Sequence, residues 1–190
     1  QVIQLHDRSK VEVFGYSIDI DDHCEIRKLL SAAFDHFVDL RDCSVTETAQ
    51  RVRADEIDIF VDLNGWTAEG RLEALALRSA PVQVTWLGYA GTTGHPKLAD
   101  YLLGDPVVTP LQHEHCYTET LAHLPNCYLP ADTSIALGPP PSRRAAGLPD
   151  EGFVFCSFNN SYKFNPWVFD LWCRLLSDVG ESCLWLSQPG

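Results

Sequence analysis

Apolar runs of β type alternate along this chain with segments of helical period, the signature of a sheet layered by helices. "VEVFGYS" (11–17) predicts a strand. Residues 24–36, "CEIRKLLSAAFDH", set Ile26, Leu29, Leu30, Ala33 and Phe34 at helical spacing, and "FVDL" (37–40) predicts a short strand. In "SVTETAQRVRADE", Ser44 and Glu47 three residues on form a capping box, predicting a helix to about residue 55. "IDIFVDLNG" (57–65) is the clearest strand of this half and ends in Asn-Gly. "RLEALALRS" predicts a helix, and Pro81 separates it from the strand "VQVTWLGY" (82–89). After the loop "AGTTGHPKLA" comes the short strand "DYLLGD", and "PVVTPLQHEHCYTETLAHLP" is expected to be mostly loop. The order matches the crossover units of a parallel sheet.

The pattern changes at 130–150, "PADTSIALGPPPSRRAAGLPDE", which has many prolines and little apolar periodicity and predicts a linker. A second unit then begins with the strand "GFVFCSF", a helix from Pro166 to about Val179, and the strand "CLWLS". The domain reading is a first lobe over 1–129, a proline-rich linker over 130–150 and the start of a second lobe over 151–190. Two α/β units joined by such a strap are expected to face each other across a cleft.

Charge narrows the choice of partners. With 14 Lys+Arg against 26 Asp+Glu, the formal net charge is −12. That field repels phosphate backbones and anionic membrane surfaces, so nucleic acid and membrane are not expected partners. No apolar stretch approaches the roughly 20 residues that span a bilayer, and "QVIQLHDRSK" has no signal-peptide core. Seven scattered cysteines without a C-x-x-C pair fit reduced thiols, and a cytoplasmic protein is expected. The chain has no Met, begins mid-phrase and stops at "LWLSQPG", which suggests a fragment of a longer polypeptide.

The most suggestive chemistry lies in "FNNSYKFNP" (158–166), a polar turn between two apolar segments that carries the only Lys after Lys97. Asn165 is suited to cap the following helix and Pro166 to fill its first position. Phe164, Trp167, Val168, Leu171, Trp172, Leu175 and Leu176 form a stripe expected to lie on the sheet. The turn is thereby set at the carboxyl end of a strand and beside a helix N-terminus, where open α/β sheets bind ligands and where anions are favoured. Lys163 is either aimed at a phosphate there or is a solvated lysine on a βα turn.

"IDIFVDLNGWTAEGR", "RSAPVQVTWLGYAGTTG", "DYLLGD" and "FNNSYKFNP" together resemble the C-terminal catalytic region of the O-linked N-acetylglucosamine transferase family, which includes the SPINDLY-type fucosyltransferases. The block from Arg78 to Gly94 is the most specific part. The resemblance implies an α/β fold of GT-B type, with a partial Rossmann-like N-terminal lobe and the first βαβ of a C-terminal lobe. Tetratricopeptide repeats are expected upstream in a parent protein. It implies inverting transfer of N-acetylglucosamine from UDP-GlcNAc to Ser or Thr hydroxyls of acceptor proteins, with no cofactor or metal required. GDP-fucose-dependent transfer and a truncated, non-catalytic interaction module are the alternatives. By resemblance Lys163 contacts the diphosphate and Tyr162 lies beside it, while Asn160 stands where Gln is frequent in the family. Leu87 and Gly88 match backbone positions lining the sugar pocket, and a glycine there lets main chain approach a ligand closely. Ala90 replaces a frequent Pro. Trp66 and Arg71 match an aromatic and an arginine near the cleft, with core packing and a surface charge as their plain alternatives. The family's catalytic histidine and most uridine contacts match no residue here, so this piece alone is expected to be inactive.

Other signals carry less. "HEHC" (113–116) lacks a second ligand pair for zinc, and His95 sits in a loop. "AGTTG" lacks the Gly-Lys-Ser/Thr ending of a P-loop, and no Ser-His-Asp order supports a hydrolase. Asp58 and Asp62 alternate along one strand and read as polar strand-end positions.

Overall fold

A computed structural model describes residues 1–67, 70–133 and 135–187. Ala68 and Glu69 of "NGWTAEGR", Ser134 of the proline-rich stretch and residues 188–190 of "LWLSQPG" lie outside the described residues. The chain forms two compact units, Gln1–Ile135 and Ala136–Gly190, and the division falls inside the proline-rich stretch.

In the first unit, strands β1 (Phe14–Ser17) and β2 (His36–Asp39) make a parallel pair. Strands β3 (Ile59–Asp62), β4 (Val82–Trp86), β5 (Tyr101–Gly104) and β6 (Thr120–His123) form a four-stranded sheet in that order, parallel throughout. The expected α/β class with parallel sheets is observed. Strand β6 falls in the segment expected to be mostly loop, as does a 3-10 turn over Leu111–Cys116.

Helix α1 (Glu25–Ser31) stops short of the predicted residue 36. Phe34 there packs over Gly15, where an added Cβ would meet the ring at 2.8 Å, and Asp35 accepts the Val13 N–H at 2.8 Å. These contacts draw the chain straight into β2. Ile26, Leu29 and Leu30 on α1 are exposed rather than core.

Helix α2 (Val45–Ala54) starts at the predicted capping box. Ser44 Oγ accepts the Glu47 N–H at 3.2 Å, while the Glu47 carboxylate accepts the Ser44 N–H at 2.7 Å. Ser44→Ala removes one half of this exchange and is expected to lower stability by about 1 kcal/mol in urea unfolding. Ala49 and Val52 of this helix are fully buried, and Asp55 at its end accepts bonds from Tyr16 Oη of β1 and Arg51 Nε, each at 2.8 Å. Helix α3 (Glu73–Ala76) is only four residues long, because Arg78 takes a positive φ of 50° and ends it.

The block from Arg78 into β4 is a structural staple. Gln83 is fully buried with its amide saturated: Oε1 accepts the Ser79 N–H at 2.8 Å, and Nε2 donates to the carbonyls of Leu75 at 2.9 Å and Leu98 at 2.7 Å. Arg78 meets both oxygens of Asp100 at 3.1 Å, and Asp100 also accepts the Gln83 N–H at 2.8 Å. An open hollow of about 570 Å³ lies beside this staple at the N-terminal ends of β3 and β4. Its arginines serve the fold: Arg53 bonds the carbonyls of Leu77 and Arg78, and Arg78 bonds Asp100.

In the second unit, β7 (Val154–Ser157) and β8 (Cys183–Leu186) are parallel and joined by α4 (Pro166–Asp178). Trp172, Leu175 and Leu176 of α4 meet Phe155 and Leu184 of the strands around a small cavity of about 110 Å³. Trp167 departs from the expected stripe and is 72% exposed. Trp172 packs instead on Phe164, ring centroids 5.0 Å apart. Among the described residues no helix is long and apolar enough to cross a membrane.

Candidate functional site

The residues singled out from the sequence fall into two groups, one in each unit. In the first, they gather on the loops that leave the carboxyl ends of β3 and β4. The carboxylate of Asp62 closes the β3 turn by accepting the N–H groups of Gly65 at 2.7 Å and Asn64 at 3.4 Å. Burial pushes the Asp62 carboxyl above the ordinary carboxylate range, and these two bonds only partly offset it.

At the end of β4, Leu87 takes φ 77°, and Gly88 N–H reaches back to Trp86 O at 3.1 Å as well as to Leu63 O at 3.0 Å. A bond across one residue at that φ is the mark of the strained γ-turn, rare for a residue with a side chain. Gly88 has no room for anything larger, since an added Cβ would stand 2.3 Å from Leu63 O and 3.0 Å from Asn64 O. The two loops interlock further. Tyr89 packs where Gly65 would carry a Cβ, and Trp66 Nε1 donates to Thr93 O at 3.2 Å. Trp66 itself is 59% exposed, so it is not the core tryptophan that its plain alternative describes. Ala90 follows, half-buried.

Arg71 is turned toward the protein's own backbone. Its guanidinium donates to Leu40 O and Arg41 O, both at 2.6 Å, and to Thr48 Oγ1 at 3.0 Å. It ties the end of β2 and the start of α2 to the segment after β3.

A residue that sequence reasoning missed completes this group. Glu119, buried just before β6, accepts from Thr92 Oγ1 at 2.8 Å, Thr93 N–H at 2.8 Å and the Thr93 hydroxyl. Burial disfavours its charged form, but the bonds from Thr93 and Thr92 outweigh that and hold the carboxyl below its ordinary value. No pattern marks such a residue until β6 is known to be a strand.

In the second unit, Ser161–Lys163 form a 3-10 turn between β7 and α4, so Lys163 follows the carboxyl end of a parallel strand. Asn160 caps that turn with its side-chain oxygen 3.4 Å from Tyr162 N. Asn165 caps α4 by accepting the Val168 N–H at 2.9 Å, with Pro166 in the first turn as expected. Tyr162 is 78% exposed. Lys163 Nζ lies 3.4 Å from Asn159 Oδ1 and 6.0 Å from the Tyr162 ring centroid, so both of these contacts are with uncharged groups. An exposed ammonium with neutral neighbours, two residues before a helix cap, is a favourable place for an anion.

His113 and His115 lie on the 3-10 turn before β6 with ring centroids 6.4 Å apart, and among the described residues no group of three His, Cys, Asp or Glu is arranged to hold a metal.

The sequence profile of glycosyl transferase family 41 matches residues 1–138 and 133–189. The chain belongs to glycosyl transferase family 41. It is similar to the probable UDP-N-acetylglucosamine–peptide N-acetylglucosaminyltransferase SEC of Arabidopsis thaliana, 39% identical over 191 residues, covering 97% of this chain and 19% of that protein. It is also similar to the probable transferase SPINDLY of Arabidopsis thaliana, 36% identical over 183 residues, covering 94% of this chain and 20% of that protein. The solved structure of a Thermobaculum terrenum O-GlcNAc transferase mutant, K341M, matches with a TM-score of 0.83 at 36% identity over 97% of this chain and 34% of that one. The GT-B-type fold class expected from the sequence is shared with this O-GlcNAc transferase neighbour. The chain thus spans about a fifth of the length of these two curated relatives.

Proposed function

We propose that this chain is part of a protein O-glycosyltransferase that moves N-acetylglucosamine from UDP-GlcNAc to Ser or Thr hydroxyls of acceptor proteins, with inversion. The observation that carries the reading is Lys163: exposed, with neutral neighbours, and set between the carboxyl end of β7 and the capped start of α4. In this transfer the acceptor oxygen forms a bond to the anomeric carbon while the bond to the diphosphate oxygen breaks. The electron pair leaves with the diphosphate and the hydroxyl proton passes to a base. Negative charge therefore grows on the diphosphate, and a preorganised ammonium lowers the energy of that state more than of the ground state. Tyr162 and Asn160 flank the same turn and are proposed to border the donor. In the first unit, the strained Leu87 and the closely packed Gly88 present main chain rather than side chain, which suits the recognition of a sugar at close range. Ala90 and Trp66 border that loop, while Arg71 fixes the segment after β3 to the end of β2 and the start of α2.

Names of relatives support the donor assignment, since the Caenorhabditis elegans protein is named a UDP-N-acetylglucosamine–peptide N-acetylglucosaminyltransferase and SEC and SPINDLY are named probable ones. We further propose that the reaction needs no metal, that the protein is cytoplasmic and that the longer polypeptide carries tetratricopeptide repeats.

The test is isothermal titration of the full-length protein with UDP and with GDP, wild type beside Lys163→Ala. Wild type is expected to bind UDP, and the variant to bind it about tenfold more weakly, the worth of one charge-assisted contact at an exposed site. Preference for GDP would move the protein to fucose transfer. Failure of a folded protein to bind either nucleotide would overturn the reading in favour of an interaction module.

A further inference from the structure

We infer that Glu119 is a positioning residue for donor-sugar recognition, acting through the β4–β5 crossover and not by touching the donor; this rests on the proposed transferase reading. Between β4 and β5 the chain travels through residues 87–100 without forming a helix, with one short turn over His95–Leu98. Such a segment has no internal ladder of hydrogen bonds, so its conformation must be imposed from outside.

At its start, Leu87 is strained and Gly88 leaves no slack against Leu63. A strained turn persists only where its surroundings over-determine it. From the β3 side, Trp66 Nε1 holds Thr93 O. From the β6 side Glu119 does most of the work, with one carboxylate accepting from Thr92 Oγ1, Thr93 N–H and Thr93 Oγ1. Thr118 adds its N–H to Thr92 Oγ1 at 3.2 Å, and that same oxygen accepts the Gly94 N–H at 3.0 Å.

The result is a clamp on residues 92–94, a few residues beyond the main-chain turn assigned to the sugar. A carboxylate is the one side chain here that can accept all three bonds at once. Glutamine at this position turns an acceptor oxygen into a donor amide facing donors, which breaks the clamp without changing the volume. The buried, fully engaged carboxylate is therefore matched to holding this loop. Bulk core packing at this position would be met equally well by an apolar side chain.

The experiment compares wild type, Glu119→Gln and Thr93→Val in the full-length protein, reading UDP and UDP-GlcNAc affinity by calorimetry and amide exchange across residues 87–94. Both variants are expected to bind UDP as wild type does and to lose about tenfold in UDP-GlcNAc affinity, because only the sugar increment depends on this loop. Exchange at Gly88 and Thr93 is expected to quicken by a similar factor. Equal losses for UDP and UDP-GlcNAc would mark a general folding defect and overturn the inference. So would unchanged sugar affinity, or unchanged exchange in Glu119→Gln. If wild type binds no nucleotide, the transferase reading fails on its own, and the exchange arm still decides whether Glu119 clamps the loop. Thr93→Val keeps the carboxylate and its charge, so a loss seen there cannot be blamed on removing a buried ion.

Discussion

Gln83→Leu is expected to destabilise the first unit by roughly 3 kcal/mol, although leucine is close in size and more apolar. Gln83 is fully buried in β4, one of the two inner strands of its sheet, and its amide makes three hydrogen bonds. Leucine makes none. The Leu75 carbonyl keeps its bond from the Arg78 N–H at 2.9 Å, so it is not orphaned. The Ser79 N–H and the Leu98 carbonyl lose the partner that Gln83 supplied, and each buried unpaired group costs about 1–3 kcal/mol. Added apolar contact returns only part of this. Urea unfolding of wild type and variant reads the difference directly, and a loss below about 1 kcal/mol would mean that the neighbouring groups find other partners. Gln83→Glu should be at least as damaging, because a buried charge would then face the Leu75 and Leu98 carbonyls.

How much of this was legible in the sequence depends on whether an element's cause is local. The α2 boundary was, because a capping box is written within four residues. So was the strand character of β4, because Val82, Val84 and Trp86 alternate with Gln83 and Thr85, a period of two written within five residues. Strand β6 was missed for the complementary reason. It is the last strand in the order β3-β4-β5-β6, with Thr120 exposed and no fully buried residue, so "TLAH" shows no clear apolar run. Helix α3 was read too long because Arg78 leaves helical geometry to bind Asp100, a residue of the following crossover that no local pattern announces. The candidate site divides the same way. The turn at Lys163 was legible from Asn165, Pro166 and the helical stripe that follows. Leu87 and Gly88 came from family resemblance alone, and the γ-turn that explains them is a property of the folded chain. Arg71 read as a charge near a cleft, yet its geometry is that of a backbone staple. Glu119 read as nothing, since its value lies in bonds to residues 26 and 27 positions earlier.

Gly88→Ala is expected to cost stability and sugar recognition together, and the second loss should exceed the first. The added Cβ would sit 2.3 Å from Leu63 O, far inside contact distance, and 3.0 Å from Asn64 O. Both obstacles are main chain, so no rotamer change relieves them. Either the β3 turn moves out, breaking the Gly88 N–H bond to Leu63 O, or the γ-turn at Leu87 opens. Opening the turn releases local strain of about 1–3 kcal/mol, which offsets part of the clash and keeps the folding penalty to about 2 kcal/mol. It does nothing for the ligand, since the main-chain groups proposed to meet the sugar are displaced by about an ångström, enough to cost roughly a hundredfold in a positioned reaction. The measurement is the ratio kcat/KM for UDP-GlcNAc beside the unfolding midpoint of the same full-length variant. A large fall in kcat/KM with a midpoint only slightly lowered would support the turn as the sugar-facing element. Loss of kcat/KM no greater than the stability change predicts would mean that Gly88 is glycine only because β3 and β4 pack closely there.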